Sequence, residues 1–288
     1  MVSKLKHRWE KGLKIQLNGI WQKTNKIYDL CDGDYTYLKS NWNKIFKKDI
    51  IRLLKNKKVV SDKFWYLENI HNEILDNSLL DYDFNSGVNG ITKELYDVDD
   101  SFMEVYYSFI KYLYKTLNFN FYFQATPTIR VHCPKAKNEH HYPRYHNDVF
   151  YGHPPEELNI WFSLTQNKNS GFNVIDFDKS KQWFNECNND VSGFIDKAIN
   201  DIEFNKKGDE LSFEVDSDIN SVFVFNSLCI HTNKPRLNDS RVSIDVRINP
   251  VSNFVDGYVG AGRMKAEFKP DGKFGYYKKS IEEMLWKY

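Results

Sequence analysis

The chain has 288 residues, with 40 Lys+Arg against 39 Asp+Glu and a formal net charge of +1; 41% of residues are hydrophobic and 27% charged. That balance is too apolar for a disordered chain and sufficient to bury one large core or two modest ones, and no stretch reaches the ~18 apolar residues of a membrane span. Cys31, Cys133, Cys187 and Cys229 stand too far apart for close-spaced zinc pairs and are too few for a disulfide-dense framework; residues 1–9 contain no apolar run, so the expected setting is the reducing cytoplasm, away from membranes.

Charge is uneven along the chain. Residues 1–60 hold 15 Lys/Arg against 5 Asp/Glu, and residues 61–120 hold 4 against 11. The basic stretch suits either a patch for nucleic acid or a solvated helical face docking near the acidic segment that follows. The second reading is preferred, because the positives are spread out and the pI is only 7.6. Ser61-Asp62 is expected to cap a helix to about Leu80, with Phe64, Leu67, Ile70, Ile74 and Leu75 on one stripe. Asp99-Asp100-Ser101 is expected to cap another, with Phe102, Val105, Tyr106, Phe109, Leu113 and Leu117 facing the core.

From Phe121 the period changes to two. Strands are predicted at 121–133, 141–148, 157–165, 171–177, 209–215, 221–226 and 240–249, with a helical insertion over 179–204 and a short final helix over 280–288. Helices first and many short strands after, with no βα alternation, exclude a doubly wound sheet and favour a mainly β jelly-roll (double-stranded β-helix, cupin-like) core with flanking helices. The whole of 1–288 reads as one domain: a helical part to residue 120 packed on a core over 121–250, then an extension over 251–288.

Six of the eight histidines lie between His132 and His231. Two belong to His-x-acid triplets, His71-Asn72-Glu73 and His146-Asn147-Asp148. On a helix, residues two apart point to nearly opposite sides, so His71 and Glu73 cannot share an ion and His71 reads as a surface or boundary residue. His146 and Asp148 fall in a stretch predicted extended, where i and i+2 share a face. His231 follows a predicted strand and is the candidate third ligand. Two imidazoles and a carboxylate on one side of an ion form the facial arrangement of non-haem Fe(II) oxygenases. Ten residues later, Arg241 and Ser243 share a strand face, where a guanidinium fork and a hydroxyl suit a carboxylate.

His146-x-Asp148, His231 and Arg241-x-Ser243 in a predicted jelly roll resemble the Fe(II)/2-oxoglutarate-dependent dioxygenase superfamily. The segment from His146-Asn147-Asp148-Val149-Phe150-Tyr151 to Asn159-Ile160-Trp161, with the strand Arg241-Val242-Ser243-Ile244-Asp245-Val246-Arg247, is similar to the phytanoyl-CoA-dioxygenase-like branch and its streptomycin-biosynthesis-type hydroxylases. The resemblance covers roughly residues 121–250. It departs at Asp176-Phe177-Asp178-Lys179, which replaces the Pro-Gly-Ser-His common in that branch, so the substrate entrance is not carried over.

The resemblance implies Fe(II) held by His146, Asp148 and His231, with 2-oxoglutarate and O2 as co-substrates. Arg241 and Ser243 would take the distal carboxylate of 2-oxoglutarate, and Asn159 matches a position that can touch it. The implied reaction is hydroxylation of an unactivated C–H bond of a small polar metabolite or natural-product intermediate, with release of succinate and CO2. Strand parity adds Tyr142, Arg144 and Trp161 as cavity candidates, with Arg130 and Arg247 nearby; the alternative places the arginines on a solvent face, with Asp245 pairing Arg241 and Arg247. His132, His140, His141 and His153 are read as non-ligands, His153 ordering its turn. Two further functions stay open: the same chemistry on a protein or nucleic acid, and a non-enzymatic cupin-like metal-binding protein. Oligomeric state is not read from the sequence.

Overall fold

The computed structural model of the chain describes residues 34–82, 88–134, 145–151, 153, 156–167, 170–218, 220–236 and 238–250. Strand β1 (Tyr35–Lys39) leads into α1 (Trp42–Asn56), followed by the short helices α2 (Ile70–Glu73) and α3 (Gly90–Glu94) and the long α4 (Asp100–Leu117). Strands β2 (Phe121–Phe123), β3 (Thr128–His132), β4 (Leu158–Ser163) and β5 (Phe172–Val174) come next. Helices α5 (Phe177–Glu186), α6 (Val191–Asn200) and α7 (Ile202–Leu211) precede β6 (Phe213–Glu214), β7 (Ser221–Asn226), β8 (His231–Asn233) and β9 (Arg241–Pro250). Among the described residues no helix is long and apolar enough to cross a membrane.

The strands form two antiparallel sheets. The larger runs β1-β7-β4-β9-β2, with β3 also pairing β9; the smaller runs β6-β5-β8. The chain passes from one sheet to the other between β4 and β5, and again at β6–β7, β7–β8 and β8–β9, which is the weave of a jelly roll. The core is thus mainly β, with helices on its flanks.

The larger sheet is buried on both faces. On one, Leu158, Ile160 and Phe162 of β4 and Val242, Ile244, Val246 and Ile248 of β9 pack against the N-terminal helices. Phe162 meets Phe46 of α1 and Phe109 of α4 at ring-centroid distances of 5.5 and 5.3 Å. Each such buried phenylalanine contributes roughly 1.5–3 kcal/mol. Helix α4 forms as anticipated: the Asp99 side chain accepts from the Phe102 N–H (2.9 Å), and Phe102, Tyr106, Phe109, Leu113 and Leu117 are buried. The basic α1 docks beside the acidic segment, its Lys47, Arg52 and Lys57 pairing with Glu68, Asp99 and Asp97. The opposite face of the larger sheet carries Trp161, Phe223 and Phe225, which pack on Phe172 and Val174 of the smaller sheet.

Three expectations change. Residues 61–80 are not one helix: Ile74 bridges to Val60, the Leu75 N–H donates to the Val59 carbonyl, and Asp76 caps a new turn by accepting from the Ser78 N–H. Phe64, Leu67 and Ile70 are buried and Ile74 packs on the same core, but Leu75 is exposed. The stretch 121–133 splits into β2 and β3. Residues 209–211 close α7 rather than opening a strand, because the insertion spans three helices with a core of their own around Trp183, Phe184, Phe194 and Phe204. Asp176-Phe177-Asp178-Lys179 starts α5, the Asp176 side chain accepting from the Lys179 N–H (2.9 Å). The predicted helix over 280–288 lies outside the described residues.

Candidate active site

His146, Asp148 and His231 come together between the two sheets. One ligating atom from each lies within 4.8 Å of the others, and all three residues are buried. His146 and His231 form an isolated antiparallel bridge: the His231 N–H donates to the His146 carbonyl (2.7 Å) and the His146 N–H to that of His231 (3.1 Å). Their rings are 4.5 Å apart. The Asp148 carboxylate approaches by a different route from the one expected. The extended backbone does not run through to Asp148: His146 makes the bridge, and Asp148 opens a 3-10 turn, Asp148–Tyr151. Asn147 sets this turn, its Oδ1 accepting from the Phe150 N–H (3.0 Å) and its Nδ2 donating to the Leu228 carbonyl (3.2 Å). The side chain of an Asn-capped turn, rather than strand parity, aims Asp148 at the histidines.

His231 and Asp148 are held in forms that suit a metal ion. His231 Nδ1 lies 3.0 Å from the Cys229 carbonyl oxygen, so Nδ1 carries the proton and Nε2 presents its lone pair, 3.9 Å from Asp148 Oδ1. Burial pushes the His231 pKa below its ordinary value, against the opposing pull of Asp148, which favours the neutral imidazole. Burial by itself would raise the Asp148 pKa, but Arg247 and the surrounding histidines hold its carboxyl well below the usual carboxylate range. Asp148 Oδ2 accepts from Asn159 Nδ2 (2.7 Å) and Arg247 Nε (3.1 Å), leaving Oδ1 toward His231.

A cleft opens above these residues and encloses about 470 Å³, its solvent mouth included. Strand alternation supplies one wall from the larger sheet: Asn159 and Trp161 of β4, Phe225 of β7, Arg130 of β3, and Asp245 and Arg247 of β9. The smaller sheet supplies Phe172, His231 and Asn233. Trp161 and Phe172 stack at 4.9 Å. Arg130 Nε donates to Asp245 Oδ2 (2.5 Å), and the pair is more accessible than the metal-ligating groups. The face expected as a possible solvent surface therefore lines a cavity, and Asp245 bonds Arg130 rather than bridging Arg241 and Arg247.

Arg241 and Ser243 share the β9 face of Asp245 and Arg247 but are buried further along it and do not line the cleft. Arg241 is fully buried, with Nη1 donating to the Ser170 carbonyl (3.0 Å) and Nη2 to Asn233 Oδ1 (2.6 Å). Burial pulls its pKa down to about 10, partly offset by Asp245. Arg241 Nε and Ser243 Oγ, both buried, have no hydrogen-bond partner among the described residues. Asn159 holds the Asp148 carboxylate, and this contact is what its position in the cleft explains first. Tyr142, Arg144, His140 and His141 lie outside the described residues. His132 shares the Arg130 face as expected and bonds the Tyr82 hydroxyl (2.9 Å), while His71 Nδ1 meets Ser240 Oγ (2.8 Å) away from the cleft.

Sequence reasoning missed Asn233 and Glu157. Asn233 was accessible to it: two residues after His231 on a strand, it shares that residue's face. Glu157 heads the predicted strand 157–165 at the parity of Asn159 and Trp161, but the observed strand begins at Leu158 and nothing local names its partner Arg247.

No protein-family model matches the chain, and no curated protein matches it. Among solved structures it is similar to EctD from S. alaskensis with bound Fe (12% identity, TM-score 0.41, 79% of this chain and 76% of that chain). It is also similar to the non-heme alpha ketoglutarate dependent carbocyclase SnoK from nogalamycin biosynthesis (12%, 0.38, 76% and 80%). A third likeness is to the non-heme monooxygenase ThoJ in its Ni complex (8%, 0.36, 76% and 74%).

Proposed function

We propose that this chain is an Fe(II)- and 2-oxoglutarate-dependent dioxygenase that hydroxylates an unactivated C–H bond of a small polar molecule. The observation that carries the reading is the convergence of His146, Asp148 and His231 on one buried point under a cleft. Two imidazole nitrogens and one carboxylate on one side of an ion suit non-haem Fe(II) and leave positions open opposite. The co-substrate is supported by a second observation: Arg241 Nε and Ser243 Oγ, adjacent on one strand face, are buried donors without a partner among the described residues. Such groups are costly to leave unmade, and a carboxylate would satisfy both.

When bound, iron, 2-oxoglutarate and O2 supply the oxidising chemistry, with the keto acid leaving as succinate and CO2. The residues of the chain do the rest. His231 presents Nε2 because the Cys229 carbonyl accepts a hydrogen bond from Nδ1–H. Asn159 and Arg247 fix one oxygen of Asp148 and leave the other for the metal. Trp161, Phe172 and Phe225 give the cleft an apolar wall that excludes water, and Arg130 with Asp245 offers both signs of charge to orient a polar substrate. Lys47, Arg52 and Lys57 of the basic stretch are paired with the acidic segment, which supports a reading without nucleic acid.

The test is anaerobic addition of Fe(II) and 2-oxoglutarate to the whole chain, followed by the visible charge-transfer band of the chelate, then succinate formation in air. The band is expected in the native chain and lost in His146→Ala. A folded chain without the band, or a band that survives His146→Ala, refutes the assignment. Metal binding indifferent to 2-oxoglutarate would indicate a non-enzymatic cupin-like protein instead.

A further inference from the structure

Glu157 is a fully buried carboxylate that does not line the cleft and has no part in the chemistry above. A charge in that position is tolerated only when paired. Its Oε1 accepts from His153 Nδ1 (2.8 Å), on a histidine that is itself buried, and lies 3.3 Å from Arg247 Nε. That same Nε donates to Asp148 Oδ2 at 3.1 Å. One guanidinium nitrogen is thus divided between two carboxylates, one at the candidate metal centre and one behind it. The His153 N–H also donates to the Asp148 carbonyl (3.2 Å), so His153 ties Asp148 to Glu157.

We infer that Glu157 is a positioning residue for the metal centre: it holds Arg247 and shares its charge, so that Asp148 keeps its place and its full anionic character toward the ion. The inference rests on reading His146, Asp148 and His231 as metal ligands. Its physical basis is competition. A guanidinium paired with Asp148 alone draws electron density from the carboxylate and repels a divalent cation nearby. A second carboxylate on the same N–H weakens both effects, and His153 fixes the angle from which it does so. Asn159 supplies the neutral half of the support, donating to the same Asp148 oxygen (2.7 Å).

The experiment is titration of the metal-free full chain with Co(II), read by its visible ligand-field absorption, in the native chain and in Glu157→Gln. Glutamine retains an acceptor at nearly the same place and removes only the charge. Outer partners of metal ligands typically contribute about 10–100-fold in metal affinity, so Glu157→Gln is expected to raise the Co(II) Kd by that factor. The absorption bands are expected to shift, while circular dichroism stays native. Should Glu157→Gln fail to fold, Arg247→Lys serves instead: an ammonium cannot reproduce the shared N–H, and the same two changes are expected. A folded variant of either kind with native Kd and native bands overturns the inference. A native chain that binds no Co(II) overturns the metal reading itself, a distinct outcome visible before any variant is made.

Discussion

Replacing Asn233 by aspartate is expected to weaken 2-oxoglutarate binding while leaving the metal ligands in place. In the native chain Asn233 Oδ1 accepts from Arg241 Nη2 at 2.6 Å, standing between the guanidinium and the cleft. A co-substrate carboxylate that takes Arg241 Nε and Ser243 Oγ shares the guanidinium with this neutral acceptor. An aspartate there turns the contact into an ion pair around a fully buried arginine. At roughly 4 Å and an effective dielectric of about 20 the Coulomb energy is ~4 kcal/mol, much of it offset by burying the new carboxylate. The net worth of a hydrogen bond to a charged group is about 1.5–3 kcal/mol, which corresponds to a loss of ~10–150-fold in affinity. The assay is an anaerobic titration of the Fe(II)-loaded chain with 2-oxoglutarate, with a Co(II) titration as control for the metal site. Asn233→Ala should act in the opposite sense, binding the co-substrate at least as tightly as the native chain. It should also lower stability by about 1–3 kcal/mol, because Nη2 is left unpaired. An Asn233→Asp chain that binds 2-oxoglutarate with native affinity would remove Arg241 from the co-substrate site.

The metal-free chain is expected to lose stability in acid. His231 and His132 both have folded pKa values below the ordinary 6.5, each first through burial, so the unfolded chain binds protons that the folded one refuses. Their contribution is fully present above pH 6.5 and falls away below it, with a slope approaching ~2.7 kcal/mol per pH unit for two protons; Asp148 adds a further loss below its ordinary 3.8. Urea midpoints that stay level from pH 7.5 to 5.5 would contradict this. Phe162→Ala empties a site between Phe46 and Phe109 and should lower unfolding stability by about 3–5 kcal/mol in urea. Asp99→Ala removes both the α4 cap and the Arg52 partner and should reduce stability by ~0.5–2 kcal/mol, with Asp99→Asn recovering most of it, since the exposed ion pair adds little.

The sequence alone sufficed wherever a local rule applied. A period of two marked β4 and β9 and sorted Asn159 and Trp161 from Leu158 and Ile160, and Asp99 marked the start of α4. Helix geometry set His71 apart from His146. Those properties depend on backbone repeat and on neighbours a few residues away. What required the tertiary structure was long-range. Asp148 reaches the histidines through a turn that Asn147 builds against Leu228. Arg241 meets Asn233 because the two sheets face each other, and Glu157 is linked to Asp148 only because Arg247 arrives from β9. Burial is the common cause: a charge or an amide inside the molecule must find its partner wherever the fold has placed one, and that partner's position in the sequence is arbitrary.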